Sequence, residues 1–202
     1  MAITVEHTRY DNRIIYTVDF HGNEINVTVT AKASVVRKWL STTLFFRRRD
    51  LFENRFVVGL GVQWTPGGRE LPDPPADTLQ LCVGSRCLIF RLRVPLILRK
   101  FLLNPNHTFV GFWNSLDRNK LESSEHRLRM YEDPIDLRRH VGEDLRQASV
   151  RDIVEDVLGY EVERGTEISR SNWGKVILSH KQVRYATVDA YCAFLIGKLI
   201  RA

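Results

Sequence analysis

The segment Arg55–Trp64 (RFVVGLGVQW) constrains the fold more than any other part of this chain. It is rich in valine and almost continuously apolar, the pattern of a central strand buried on both faces. Such a strand needs partners on either side and a covering layer above and below. Ile14–Phe20 and Ile25–Thr30 alternate in polarity around a His21–Glu24 turn containing Gly22, which predicts a hairpin. Thr78–Val83 and Arg86–Leu92 flank Gly84-Ser85 and predict a second hairpin, with Cys82 directly opposite Cys87. In a reducing cell these cysteines read as two small apolar side chains rather than a redox pair.

Between and after the hairpins the periodicity becomes helical. Val35, Val36, Trp39 and Leu40 follow Ser34, an N-cap residue type, and that helix ends in the basic segment Phe46–Asp50. Thr65–Asp77, with its prolines and glycines, is a loop. Pro95–Asn104 reads as a helix, Thr108–Phe112 as a strand, and the following segment as a helix carrying Asp117 and Leu121. Ser149 caps an amphipathic helix holding Val150, Ile153, Val154, Val157 and Leu158, which Gly159 closes. A last helix runs from about Lys181 to Leu199, with His180, a structural residue, at its start. Strands followed by alternating strands and helices predict an α/β mixed sheet.

The 202 residues are 44% hydrophobic and 27% charged, which suits one domain with a substantial core and excludes a disordered or disulfide-framework chain. The longest apolar runs, Pro95–Leu98 and Phe101–Leu103, are interrupted by Arg99 and Lys100, so no membrane span is expected. MAITVEHTRY lacks the features of a secretory signal, which leads to the expectation of a soluble intracellular protein, nuclear or cytoplasmic. The net charge of +6 is unevenly placed: residues 1–101 carry 15 Lys and Arg against 9 Asp and Glu, and the second half balances. A basic excess of this kind attracts polyanions.

Three blocks, LQLCVGSRCLIFRL at Leu79–Leu92, FLLNPNHTFVGFWNSLDRNKL at Phe101–Leu121 and ISRSNWGKVILSHKQVRYATVD at Ile168–Asp189, resemble the Werner-syndrome-type 3'-5' exonucleases. The match is to the small stand-alone plant forms, and it covers residues from about 14 to 200. The resemblance implies a DEDDy exonuclease on a ribonuclease-H-like fold: a mixed sheet with helices on both faces, preceded by an N-terminal hairpin and helix. It implies a single domain over residues 1–202, with hairpin and helix in 14–50 and a nuclease-like core in 55–200.

Such enzymes hold two divalent ions about 3.5–4 Å apart across the scissile phosphate, which requires a cage of carboxylates. Family members supply Asp-x-Glu on the first core strand, an Asp on a middle helix and Tyr-x3-Asp on the last. Here Tyr185 and Asp189 stand four apart in YATVD, on one helix face, and Asp117 matches the middle acid. The resemblance makes Asp117 and Asp189 metal ligands and Tyr185 the catalytic residue that orients water. The first motif is replaced: Gly61 offers no ligand, and Gln63 offers a neutral amide oxygen where a carboxylate is expected. Glu70, Asp73 and Asp77, in the next loop, are the nearby acids available to compensate.

The expectation is therefore a nucleic-acid-binding protein with a degenerate two-metal site, holding Mg2+ or Mn2+ weakly or not at all. Trp64 and Trp113 are candidates for stacking on bases. Trp173, in SNW, shapes the groove floor or plugs it. Arg47, Arg48 and Arg49 are candidate phosphate contacts along the groove rim, or a solvated segment if the groove lies elsewhere. The partner is a DNA or RNA 3' end, and a homo-oligomer is left open. Two alternatives stand beside this reading: an active 3'-5' exonuclease with substituted ligands, and a pseudo-nuclease serving as a protein-interaction or self-associating subunit.

Overall fold

The computed structural model describes residues 5–52, 56–67, 73–91, 95–124, 127–163 and 165–200. In chain order these form β1 (Val5–Tyr10), β2 (Arg13–Phe20), β3 (Asn23–Thr30), α1 (Ala33–Phe46), α2 (Arg48–Phe52), β4 (Phe56–Gln63), β5 (Thr78–Val83) and β6 (Arg86–Arg91). They continue with α3 (Leu96–Leu102), β7 (His107–Gly111), α4 (Asp117–Ser123), β8 (Ile135–Asp136), a 3-10 turn (Leu137–Arg139), α5 (Val150–Leu158), α6 (Thr166–Ser169) and α7 (His180–Leu199). The strands make one sheet in the order β1-β2-β3-β6-β5-β4-β7-β8. Its N-terminal meander is antiparallel, β3 joins β6 in parallel, β6-β5-β4 is antiparallel, and β7 and β8 run parallel to β4. The sheet is mixed, as the hairpins and helical segments predict.

β4 lies third from the edge, and every residue from Phe56 to Leu60 is buried. Its alternation distributes side chains between the two faces. On one face Gly59 meets α7 so closely that an added Cβ would sit 1.9 Å from the Ala190 carbonyl oxygen and 2.8 Å from the Phe194 nitrogen. On the same face an added Cβ at Gly197 would press on Val57 and Val110. α7 thus lies directly on the sheet. On the opposite face α1 packs with α3, so helices cover both faces.

Local chemistry sets the ends of the long helices. α5 begins in a capping box: the Asp152 N–H donates to Ser149 Oγ, and the Ser149 N–H to the Asp152 carboxylate, both at 3.2 Å. Gly159 ends that helix in the left-handed region at φ 70°. α7 has the same device in Ser179 and Gln182, and the Gln182 amide also donates to the Asn172 carbonyl at 2.8 Å. That bond ties the SNW segment to the start of the helix carrying Tyr185 and Asp189. The His180 ring packs on His7 and Tyr16, in keeping with a structural role.

Several expectations need correction. The strand Val5–Tyr10 has no counterpart in the hydrophobic pattern, because its residues from Glu6 to Tyr10 are exposed and it is held by pairing with β2. Ser34 does not cap α1. The helix starts at Ala33, with Lys32 at the N-cap and no side-chain cap. Cys82 and Cys87 are joined as a disulfide rather than free. The two-residue turn makes them a non-hydrogen-bonded cross-strand pair, the site of closest Cα approach, here 4.2 Å. Among the described residues no helix is long and apolar enough to cross a membrane.

The contact at Gly59 generates a prediction. Gly59→Ala places a methyl group against backbone that cannot rotate away, so it should cost about 3 kcal/mol or more of folding stability. Chemical denaturation reads this directly, and an unchanged midpoint would show that α7 is not seated so tightly.

Candidate functional site

The face of the sheet beneath α7 opens into a groove of about 390 Å³. Gly61, Gln63 and Trp64 line it from β4 and the residue that follows, Trp113 and Asp117 from the β7–α4 connection, and Tyr185 and Asp189 from α7. Positions far apart in sequence therefore converge, and they include both Gly61 and Gln63. Gly61 and Gln63, two residues apart on β4, share the face toward α7.

Asp117 opens α4, and its N–H donates to the Asn114 carbonyl at 3.0 Å. Its side chain is buried, and burial pushes its pKa up to about 8, with the nearby Asp136 charge adding to the rise. Asp136 is held by Arg138, whose Nε donates to both carboxylate oxygens at 3.0 and 3.1 Å. The same guanidinium lies 3.5 Å over the Trp113 ring. Trp113 is half exposed and has a φ of +51°, a left-handed conformation that a bulky residue adopts only under constraint. The Asp136–Arg138–Trp113 chain forms one wall beside Asp117. Sequence reasoning missed its first two members, and the available signal was the Asp-x-Arg spacing that places Asp136 at the N-cap of the 3-10 turn and Arg138 within it.

The opposite wall rests on a knot of polar bonds. The Thr65 N–H and hydroxyl both donate to Asp77, at 2.7 and 2.6 Å, and the Trp173 and Gly174 N–H groups donate to Thr65 Oγ1. Trp173 is fully buried, 6.1 Å from the Tyr185 ring centroid, and its indole N–H donates to the Ser169 carbonyl at 3.1 Å. It is packing under the groove rather than an exposed surface. Asp77 is thereby committed to structure, and Asp73 is paired with the buried Lys120. Neither lines the groove, and Glu70 lies outside the described residues. Trp64 is half-buried, with the Lys120 ammonium 4.8 Å from its ring centroid. Arg170 contributes a cation to the groove that the sequence did not single out.

The basic run is placed elsewhere. The Arg47 guanidinium lies against Gly84 in the β5–β6 turn, while Arg48 stacks 4.9 Å from the Phe45 ring centroid and opens α2 with Arg49. Gln63 pairs with Thr78 at the other end of β5, about 20 Å from Gly84 at strand rise. As a rim of this groove, the Arg47–Arg49 expectation is corrected.

Among the described residues the donor set of this groove is short of carboxylates. Position 61 has no side chain, Gln63 is neutral, and among the described residues no three or more His, Cys, Asp or Glu side chains converge on a metal position. The space above Gly61 is also claimed: an added Cβ would meet Gln80 Oε1 at 2.8 Å, and that buried oxygen has no hydrogen-bond partner.

A mixed sheet with this groove over its central strand defines the class, a ribonuclease-H-like nuclease fold. Escherichia coli RNase D shares it with a TM-score of 0.67 at 16% identity, covering 87% of this chain and 44% of that one. The EXO domain of Aedes aegypti Nibbler does so at 0.60 and 18%, covering 81% and 83%. The family model described as 3'-5' exonuclease matches residues 79–201, and the chain belongs to that family. Among its relatives, a 3'-5' exonuclease of Arabidopsis thaliana is 27% identical over 201 residues, 96% of this chain and 65% of that protein. The bifunctional 3'-5' exonuclease/ATP-dependent helicase WRN of Mus musculus is 27% identical over 146 residues, 69% of this chain and 10% of that protein. The chain thus spans less than two thirds of either relative's length.

The buried acid has a measurable signature. Asp117 has a folded pKa raised from 3.8 to about 8, so the native state binds the extra proton between those values. Stability should therefore fall as pH rises through that window. Asp117→Asn removes this dependence, and its melting temperature should overtake the wild type by several degrees at about pH 8.5 but not at about pH 5. Parallel curves for the two proteins would refute the assignment.

Proposed function

We propose that this protein is a nucleic-acid-binding member of the 3'-5' exonuclease family whose hydrolytic site is degenerate. The reading treats the described sheet and helices as one nuclease-like unit. The observation that supports it most is the composition of one groove: Tyr185, Asp189 and Asp117 face β4 where Gly61 and Gln63 stand in place of two carboxylates. Exonucleases of this family work with divalent ions such as Mg2+ or Mn2+, which polarise the phosphate and lower the pKa of the attacking water. Removing one well-placed charged group from such a site costs about 10²–10³ in rate, and two are missing here. The loss of negative charge also makes the groove less repulsive to phosphate, while Arg170 adds attraction. Trp64 and Trp113 offer ring faces to bases.

A labelled 3'-recessed duplex incubated with Mg2+ or Mn2+ tests the reading. No trimming is expected, and digestion abolished by Asp189→Ala would establish a working exonuclease instead. Single-stranded nucleic acid should bind with an affinity that falls about tenfold to hundredfold between about 50 and 200 mM salt, as for a few phosphate contacts. Salt-independent binding, or none, would favour a protein-interaction subunit.

Repair of the site is the complementary measurement. Gly61→Asp with Gln63→Glu returns two carboxylates to the groove face of β4 and should give metal-dependent thermal stabilisation and 3' trimming. The aspartate introduced at position 61 displaces the end of Gln80, a flexible group, so the double variant is expected to fold. A folded double variant with neither property would show that the groove has diverged beyond its first motif.

A further inference from the structure

The sheet face opposite the groove holds a second cavity. Tyr16 on β2 packs against His180 at the start of α7, so Arg13 and Ile15, at alternate positions, point to the other face. There they join Asn26 and Thr28 of β3 and Arg86 of β6, beneath the α1 residues Lys38 and Trp39. Together these elements enclose about 510 Å³, within the range of small-molecule sites.

The cavity is strongly one-sided in charge. Arg13, Lys38 and Arg86 line it, and none of its lining residues is a carboxylate. Arg86 is the informative member. Its Nε is buried with no hydrogen-bond partner, and no carboxylate pairs with its guanidinium among the described residues. Burial alone lowers its pKa, and no neighbouring charge acts in opposition. Arg91, at the other end of the same strand, has a buried Nε that is equally without a partner, but the rest of its guanidinium is engaged. Its terminal nitrogens donate to the Gly174 and Val176 carbonyls, and Asp77 supplies a compensating charge.

The surroundings position the cations without neutralising them. Arg13 donates to the Asn12 amide oxygen at 3.1 Å and stacks 4.5 Å from the Tyr10 ring centroid, and both contacts leave its charge in place. The first turn of the 14-residue α1 opens on the same cavity at Ser34, with no acidic residue and no side-chain cap. The Val35 and Val36 N–H groups donate to the Lys32 carbonyl at 3.1 and 3.2 Å, and the helix dipole adds a positive potential to that of the three side chains. A partly buried, unpaired guanidinium is costly to maintain unless an anion completes it.

We propose that this cavity is a phosphate-binding site, separate from the groove, in which Arg86 and Lys38 hold the oxyanion of a phosphoryl group. The phosphoryl group is carried either by a free nucleotide or by a nucleic-acid backbone. The site does not depend on the hydrolytic competence of the groove.

Calorimetric titration of the full chain with a nucleoside 5'-monophosphate, and anisotropy with a labelled single-stranded oligonucleotide, test it. Arg86→Gln and Lys38→Gln should each weaken one or both probes by about tenfold or more. Loss confined to the nucleotide identifies a free ligand, and loss confined to the oligonucleotide identifies the backbone. Lys38 is exposed, so Lys38→Gln decides the matter should Arg86→Gln fail to fold. Binding that survives both substitutions in folded protein, or that is lost only with Arg170→Gln, belongs to the groove and overturns the second site while sparing the function proposed above. Absence of binding by both probes overturns it too.

Discussion

The close seating of α7 on β4 at Gly59 governs the rest of this structure. With no Cβ at that position, the helix backbone comes directly against the strand, and Ala190 and Phe194 occupy space that any side chain would deny them. The site follows from this contact. Asp189 precedes Ala190, and Gly61 lies two residues beyond Gly59 on the same strand face, so the dock that builds the core also brings the last helix over Gly61. The Gln182 cap adds the SNW segment to this helix, and Thr65 joins that segment to the loop leaving β4. Core and groove are therefore parts of one assembly.

That arrangement also fixes what surrounds position 61. Position 61 is bordered by Gln80, whose amide donates to Thr78 Oγ1 at 2.6 Å while its oxygen remains without a partner. The Asp117 carboxyl is surrounded by protein and faces Asp136, and both raise its pKa. The walls of the groove are held by bonds that do not involve position 61. The stack of Arg138 on Trp113 retains one side and the Thr65–Asp77 bonds the other.

Much of this was legible in the residues, because it rests on local rules. The apolar run of β4, the two-residue Gly84-Ser85 turn, the Ser149 cap and the i, i+4 spacing of Tyr185 and Asp189 each express a preference of a short segment. What escaped depends on partners distant in sequence. β1 is polar on its exposed residues and exists because β2 offers an edge. The Asp136–Arg138–Trp113 contact forms only when β8 lies beside β7. Arg47–Arg49 formed a conspicuous charge run, but charge does not say at which end of a sheet it lands. The disulfide depended on oxidation state, which hairpin register does not determine.

The parallel pairing of β3 with β6 has a further bearing on how the molecule can be divided. The family signature begins at residue 79, within β5, and leaves out the first four strands. β6, buried from Cys87 to Phe90, has β3 as its partner on one side. A fragment cut to the signature would lose β4, the seat of α7, and uncover a row of unpaired backbone groups on an apolar strand. Such an edge recruits other chains. The N-terminal meander therefore covers an edge of β6 that the signature alone would leave open, and the paired sheet extends beyond the stretch by which the family is recognised.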